Sequence, residues 1–186
     1  YELYQSMLEE TISKIRGGQI DVLTSMDNQW SPQINLGVSV LIPESYVADL
    51  DVRLGLYRRL SNLSKKVEFE GFAAELIDRF GQLPPEVNTL LLVVRIKSVC
   101  KKAGIGKLDG GPRGATIQFH NDKFISPEGL VEFIKKQNGL AKIKDNKLII
   151  KREWKKNSDK FKGAFSIARD LAEIAVSYER NSSTKN

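Results

Sequence analysis

Cysteine and histidine are nearly missing from these 186 residues: Cys100 and His120 are the only ones. One thiol cannot close an internal disulfide, and one Cys with one His falls short of the four ligands a structural zinc site usually takes. Such sparing use of thiols fits a reducing, cytoplasmic setting. No apolar run approaches the ~18 residues a membrane span needs. There is no glycine-rich phosphate loop opening a helix, no His-based catalytic arrangement and no nucleophile signature. Catalysis by this chain, and a cofactor held by it, are therefore not expected. With 41% hydrophobic and 28% charged residues, the composition is that of a globular domain that buries about 70% of its unfolded surface.

What is present is charge, unevenly placed. The formal net charge is +6, which invites a nucleic-acid reading. Yet residues 1–81 carry 8 Lys and Arg against 12 Asp and Glu, a balance of −4, and residues 82–186 carry 21 against 11, a balance of +10. The acidic and basic halves are separate questions. The chain opens at Tyr1 within an apolar pattern and without an initiator Met, and it reads as a piece of a longer protein.

Leu3, Met7, Leu8, Ile12 and Ile15 recur at helical spacing, and Gly17-Gly18 ends that helix. An irregular linker follows to Gln33. "INLGVSVLIP" (34–43) alternates as a half-buried strand does, and Pro43 stops it. Ser45 is a candidate N-cap for a helix to about Leu63, with Asp49 and Arg53 as an i,i+4 pair. In the next helix Phe69, Phe72, Ala73, Leu76, Ile77 and Phe80 form a core stripe, leaving Glu75 and Asp78 pointing outward. Gly81 closes it, and Pro84-Pro85 starts a helix to Ala103 that places Cys100 among its apolar positions. "GGPRG" (110–114) joins two strands. Because it leads into a strand rather than a helix, it does not read as a phosphate loop. Ser126-Pro127-Glu128 opens a short helix, Asp145-Asn146 joins two more strands, and Phe161 to Tyr178 marks a closing helix.

The expected class is α+β, with helices packed on small mixed or antiparallel sheets. The expected organisation is a connector helix and linker over 1–33, one main domain over 34–180 and a disordered tail over 181–186.

Two surfaces are candidates for binding. Glu75 stands four residues before Arg79, the favourable order for an ion pair along a helix, but Arg79 neutralises only one carboxylate. Glu75 and Asp78 are either a solvated face or a docking surface for arginines of a partner or neighbouring domain. The second is Lys142 to Lys162, with 9 Lys and Arg against Asp145, Glu153 and Asp159. There Lys151, Arg152, Lys155 and Lys156 are candidate nucleic-acid contacts, and a solvated basic face is the alternative.

"LIPESYVADLDVRLGLYRRL" (41–60), "ELIDRFGQLPPEVNTLL" (75–91) and "AGIGKLDGG" (103–111), in that order, resemble the C-terminal domain of the bacterial transcription-repair coupling factor, commonly called Mfd. "ELYQSMLEE" (2–10) is similar to the segment that joins that domain to the upstream motor. The resemblance covers most of residues 1–120. It implies a parent that is an ATP-dependent DNA translocase, with ATP and Mg in a motor this chain lacks, which removes stalled RNA polymerase and recruits excision repair. The domain itself would be a non-catalytic lid. It would dock on the parent's N-terminal module, masking the surface that recruits the damage-recognition ATPase until polymerase is engaged. The acidic residues of the ELIDRFG helix belong to that polar surface, which carries over to Glu75 and Asp78, with Arg79 beside them.

Overall fold

The computed structural model describes residues 30–38 and 40–185. The connector helix and most of the linker expected over residues 1–33 lie outside the described residues. The α+β class holds, and it is realised as two compact units: residues 38–98 with Trp30, and residues 31–37 with 99–185.

The first unit is helical. α1 spans Leu50–Ser61, α2 spans Lys66–Phe80, and α3, Pro85–Ala103, belongs to this unit as far as Ser98. α1 starts later than Ser45 suggested. Residues 44–46 form a turn, with the amides of Tyr46 and Val47 on the Pro43 carbonyl. The cap is Asp49, whose carboxylate accepts the Val52 N–H at 2.9 Å. The expected Asp49–Arg53 ion pair does not form among the described residues. Arg53 instead donates to the carbonyls of Val47 and Ala48 at 2.6 and 2.9 Å. Before the helix, Ile42 N–H donates to the buried Tyr57 hydroxyl at 2.6 Å.

α2 begins where the Glu68 carboxylate reaches back to the amides of Ser64 and Lys65, at 2.8 and 2.9 Å, and so satisfies two donors next to the helix start. Phe69, Phe72 and Leu76 are buried, and each such side chain stabilises by about 1.5–3 kcal/mol. Ile77, expected in the same stripe, is 50% exposed. At 100° per residue it falls about 100° from the centre of the buried three, which takes it off the core face. Gly81 ends the helix at φ 91°, a backbone conformation in which a side chain would be strained, and its N–H returns to the Ile77 carbonyl. In α3 the buried Cys100 is an inert thiol, since burial pushes its pKa well up.

The second unit holds a five-stranded sheet in the order β1-β2-β3-β5-β4. β1 (Gln33–Asn35) runs parallel to β2 (Ile105–Gly111). β3 (Gly114–Phe119), β4 (Ala141–Lys144) and β5 (Lys147–Lys151) complete it with antiparallel pairings. The strand expected over 34–43 is therefore only three residues long. The Asn35 side chain takes the Gly37 N–H, and Gly37 at φ 67° leaves the ladder, although Leu36, Val40 and Ile42 stay buried. The two expected hairpins join through β3 and β5. Gly114 cannot be replaced without distortion: a Cβ there would lie 2.0 Å from the Ile150 carbonyl oxygen.

α4 (Pro127–Lys136) is capped by Ser126, and α5 spans Asn157–Ser183. The tail expected to be disordered from 181 is helical to Ser183. Hydroxyls of Ser182, Ser183 and Thr184 donate to the carbonyls four residues back, so these hydroxyls are satisfied within the helix itself.

Since Leu76 is 1% and Val67 68% exposed, Leu76→Ala should destabilise the chain by about 2–5 kcal/mol and Val67→Ala by no more than about 0.5 kcal/mol in denaturant unfolding. Equal costs would contradict the assignment of α2's buried and outer faces.

Candidate docking surface

The outer face of α2 is set by its inner one. With Phe69, Phe72 and Leu76 buried, helical spacing brings Val67, Gly71, Ala74 and Asp78 into one row on the opposite side. All four are exposed, and Ile77 stands half-exposed along the edge of the row. Gly71 and Ala74 keep this row low, and a Cβ on Gly71 would meet nothing within 4 Å.

Glu75 and Asp78, paired in the sequence reading, are in different situations. Arg59 of α1 grips Glu75 with both nitrogens of its fork, at 2.5 and 2.9 Å, while its guanidinium lies over the Phe72 ring. Arg79 adds a third contact at 3.2 Å and stacks on Phe80. The hydrogen bonds from Arg59 hold the Glu75 carboxyl below its ordinary value of 4.5. Glu75 is thus a tie between α1 and α2 before it is anything else. Asp78 is exposed, and no cation forms an ion pair with it among the described residues.

The corner after α2 is also fixed from a distance. The Tyr46 hydroxyl lies 3.0 Å from the Leu76 carbonyl and 2.8 Å from that of Gly81, with its ring edge-on to Phe80. Sequence reasoning missed both Arg59 and Tyr46. Neither stands at a helical spacing from its partner, so no local pattern marks them.

The basic candidates differ in their settings. Lys151 ends β5 and is exposed. Arg152 is half-buried, and its guanidinium is engaged by the Gln137 side chain and the Lys151 carbonyl. Lys155 and Lys156 lie exposed before α5, whereas Lys160, counted in the same basic run, is 8% exposed with its stem near where a side chain on Gly110 would project. Among the described residues, no group of three His, Cys, Asp or Glu side chains is placed to hold a metal ion, and no helix is long and apolar enough to cross a membrane.

A family model described as the TRCF domain matches residues 36–130, just over half of the chain. The chain belongs to the TRCF domain family. Curated relatives carry the name transcription-repair-coupling factor. One from Rickettsia conorii is 46% identical over 158 residues, 84% of this chain and 14% of the relative. One from Escherichia coli is 31% identical over 137 residues, 74% of this chain and 12% of the relative. The chain therefore spans a small part of these relatives' length. In fold it is similar to a crystal structure of the C-terminal domain of transcription-repair coupling factor, with a TM-score of 0.67 at 22% identity, covering 82% of this chain and 99% of that one. The resemblance read from the sequence is thereby borne out. The matched segment of this TRCF domain includes Tyr46, Arg59 and the whole of α2.

Glu75→Gln should lower stability by up to about 1 kcal/mol at neutral pH, the upper end for an exposed pair with bidentate geometry, or about 2–4 °C in Tm. Because the folded pKa is depressed, this contribution is full above the unfolded value near 4.5 and is lost as pH falls through the folded value. The Tm gap between the wild type and Glu75→Gln should therefore narrow progressively as pH falls below about 4.5. A gap that does not narrow with falling pH would show that the ion pair is not its source.

Proposed function

We propose that this TRCF domain is a non-catalytic regulatory lid, which docks through the outer face of α2 on the N-terminal module of its parent chain. In this reading the docked lid masks the surface that recruits the excision-repair damage-recognition ATPase. Engagement of RNA polymerase by the parent, an ATP-dependent DNA translocase carrying ATP and Mg in its motor and acting in the cytoplasm, releases it. The observation that carries the reading is the exposed row of α2, in which a carboxylate without an ion-pair partner among the described residues, Asp78, stands beside the half-exposed Ile77. An apolar side chain next to an unneutralised acid suits a partner helix or loop that brings one arginine and a shallow apolar surface.

In this reading the residues Glu75, Asp78 and Arg79 divide in role. Asp78 is the direct contact. Glu75 and Arg79 act mainly by holding α2 in place, because Arg59 already occupies Glu75. A contact of this size suits a switch. Exposed ion pairs contribute roughly 0–1 kcal/mol and weaken with salt, so a modest preference of another partner for the released state is enough to free the lid.

Calorimetric titration of the chain with the separately produced N-terminal module tests this. Asp78→Lys and Ile77→Asp should each weaken binding about tenfold, about 1.4 kcal/mol, with unchanged Tm. Arg79→Ala should weaken it by no more than about twofold. Undiminished binding by both Asp78→Lys and Ile77→Asp would contradict the proposal.

A further inference from the structure

The sheet of the second unit has one face turned to the core and one that is polar. Ile34, Leu108, Ile117, Leu148 and Ile150 are buried. The residues between them on each strand belong to the other face, since side chains alternate along a strand. That second face can be followed across the registers. Lys107 pairs with Gln118, Thr116 with Ile149, Ile149 with Lys142, Lys144 with Lys147, and Lys151 with Gly114. Five lysines therefore share one face, and all five are exposed.

The ion pairing on this face is one-sided. Lys107 lies 3.8 Å from the Asp109 carboxylate on its own strand. Lys142, Lys144, Lys147 and Lys151 have no ion-pair partner among the described residues. The nearby carboxylate of Asp145, in the β4–β5 turn, makes no ion pair either among the described residues. Four unneutralised ammonium groups on the β4–β5 edge of one sheet repel one another, and an isolated fold gains nothing from gathering them there. Lysine on an edge strand does discourage edge-to-edge pairing. That accounts for Lys142 and Lys144 on β4, but not for Lys147 and Lys151 on β5, which is an interior strand.

We infer that this face binds the phosphate backbone of double-stranded DNA without sequence preference. The chemistry selects that occupant in two steps. No aromatic residue stands on the face, so it offers no stacking platform for the bases of a single strand. It also carries no arginine fork for bidentate reading of guanine or of a carboxylate, only lysines, which act as point charges toward phosphates. The surface lies largely within the basic run expected from the sequence, but of the four contacts named there only Lys151 stands on it. Arg152 is tied to Gln137, and Lys155 and Lys156 lie before α5 rather than on the sheet. It is also independent of the α2 row, so either surface can fail without the other.

Four phosphate contacts imply that log K falls with log salt at a slope of about −3 to −4, with affinity in the weak, non-specific range. Fluorescence anisotropy with a labelled random-sequence duplex, measured on the 186-residue chain at two salt concentrations, reads both quantities. Changing Lys142, Lys144, Lys147 and Lys151 together to Ala should weaken binding at least thirtyfold at low salt and bring the slope close to zero. The double change Lys155→Ala and Lys156→Ala should leave affinity within about twofold. Lys144→Gln with Lys147→Gln, a milder pair, should lose an intermediate amount and reduce the slope by about 2. Wild-type affinity in the quadruple or the milder variant, or a greater loss from the Lys155 and Lys156 pair, would overturn the inference. So would displacement of the duplex by polyglutamate as effective as by unlabelled duplex, which would make the partner an acidic protein.

Discussion

Arg59 reaches from α1 to close a two-nitrogen fork on Glu75 of α2, and the character of α2's outer face follows from that contact. The Glu75 carboxylate, bonded twice by Arg59 and once by Arg79, is already satisfied within the unit. The same fork fixes the rotation of α2, together with the burial of Phe69, Phe72 and Leu76, and so decides which residues face outward. Tyr46 fixes the far end by meeting the carbonyls of Leu76 and Gly81. A row that includes Val67, Ala74 and Asp78 is thus presented on a helix held from two sides, which lowers the ordering cost that any binding event must meet.

The two candidate surfaces differ in charge although the first unit as a whole does not carry an acidic surplus: residues 38–98 hold 8 Lys and Arg against 8 Asp and Glu, and the basic surplus lies in residues 82–186. The first unit offers a row with a single open carboxylate, and the second an expanse of ammonium groups. Neither surface needs deep burial. Contacts of this sort are screened by salt and reversible, as a regulatory element within a larger chain requires.

Much of the fold was legible because its signals are local. Helical spacing marked α2, α3 and α5, Ser126-Pro127 marked the start of α4, and the glycine-rich and Asp-Asn turns marked both hairpins. The failures also have local causes. Ser45 and Asp49 are both good caps, and the Pro43 turn decided between them. Ile77 stands four residues after Ala73 and three before Phe80, so spacing counted it with the core, but the buried centre of α2 is Phe69, Phe72 and Leu76 and Ile77 lies off that face. The strand at residues 34–43 alternates correctly but leaves the ladder at Gly37. The candidate site was only half legible. Asp78 is open by helical geometry alone, but the partner that occupies Glu75 stands on another helix, and no periodicity reveals it. The outer lysine face was hidden for the same reason: its members come from three strands and become neighbours only through the sheet register.

Which face of which helix meets the N-terminal module in the proposed docking is a question of mapping. The direct measurement is nuclear magnetic resonance of the labelled chain titrated with the N-terminal module, followed amide by amide. The account predicts shifts concentrated in α2 at Val67, Gly71, Ala74, Ile77 and Asp78, with the sheet residues Lys142 to Lys151 unmoved. Shifts confined to the sheet, or none on the outer row of α2 while binding is seen by calorimetry, would contradict it.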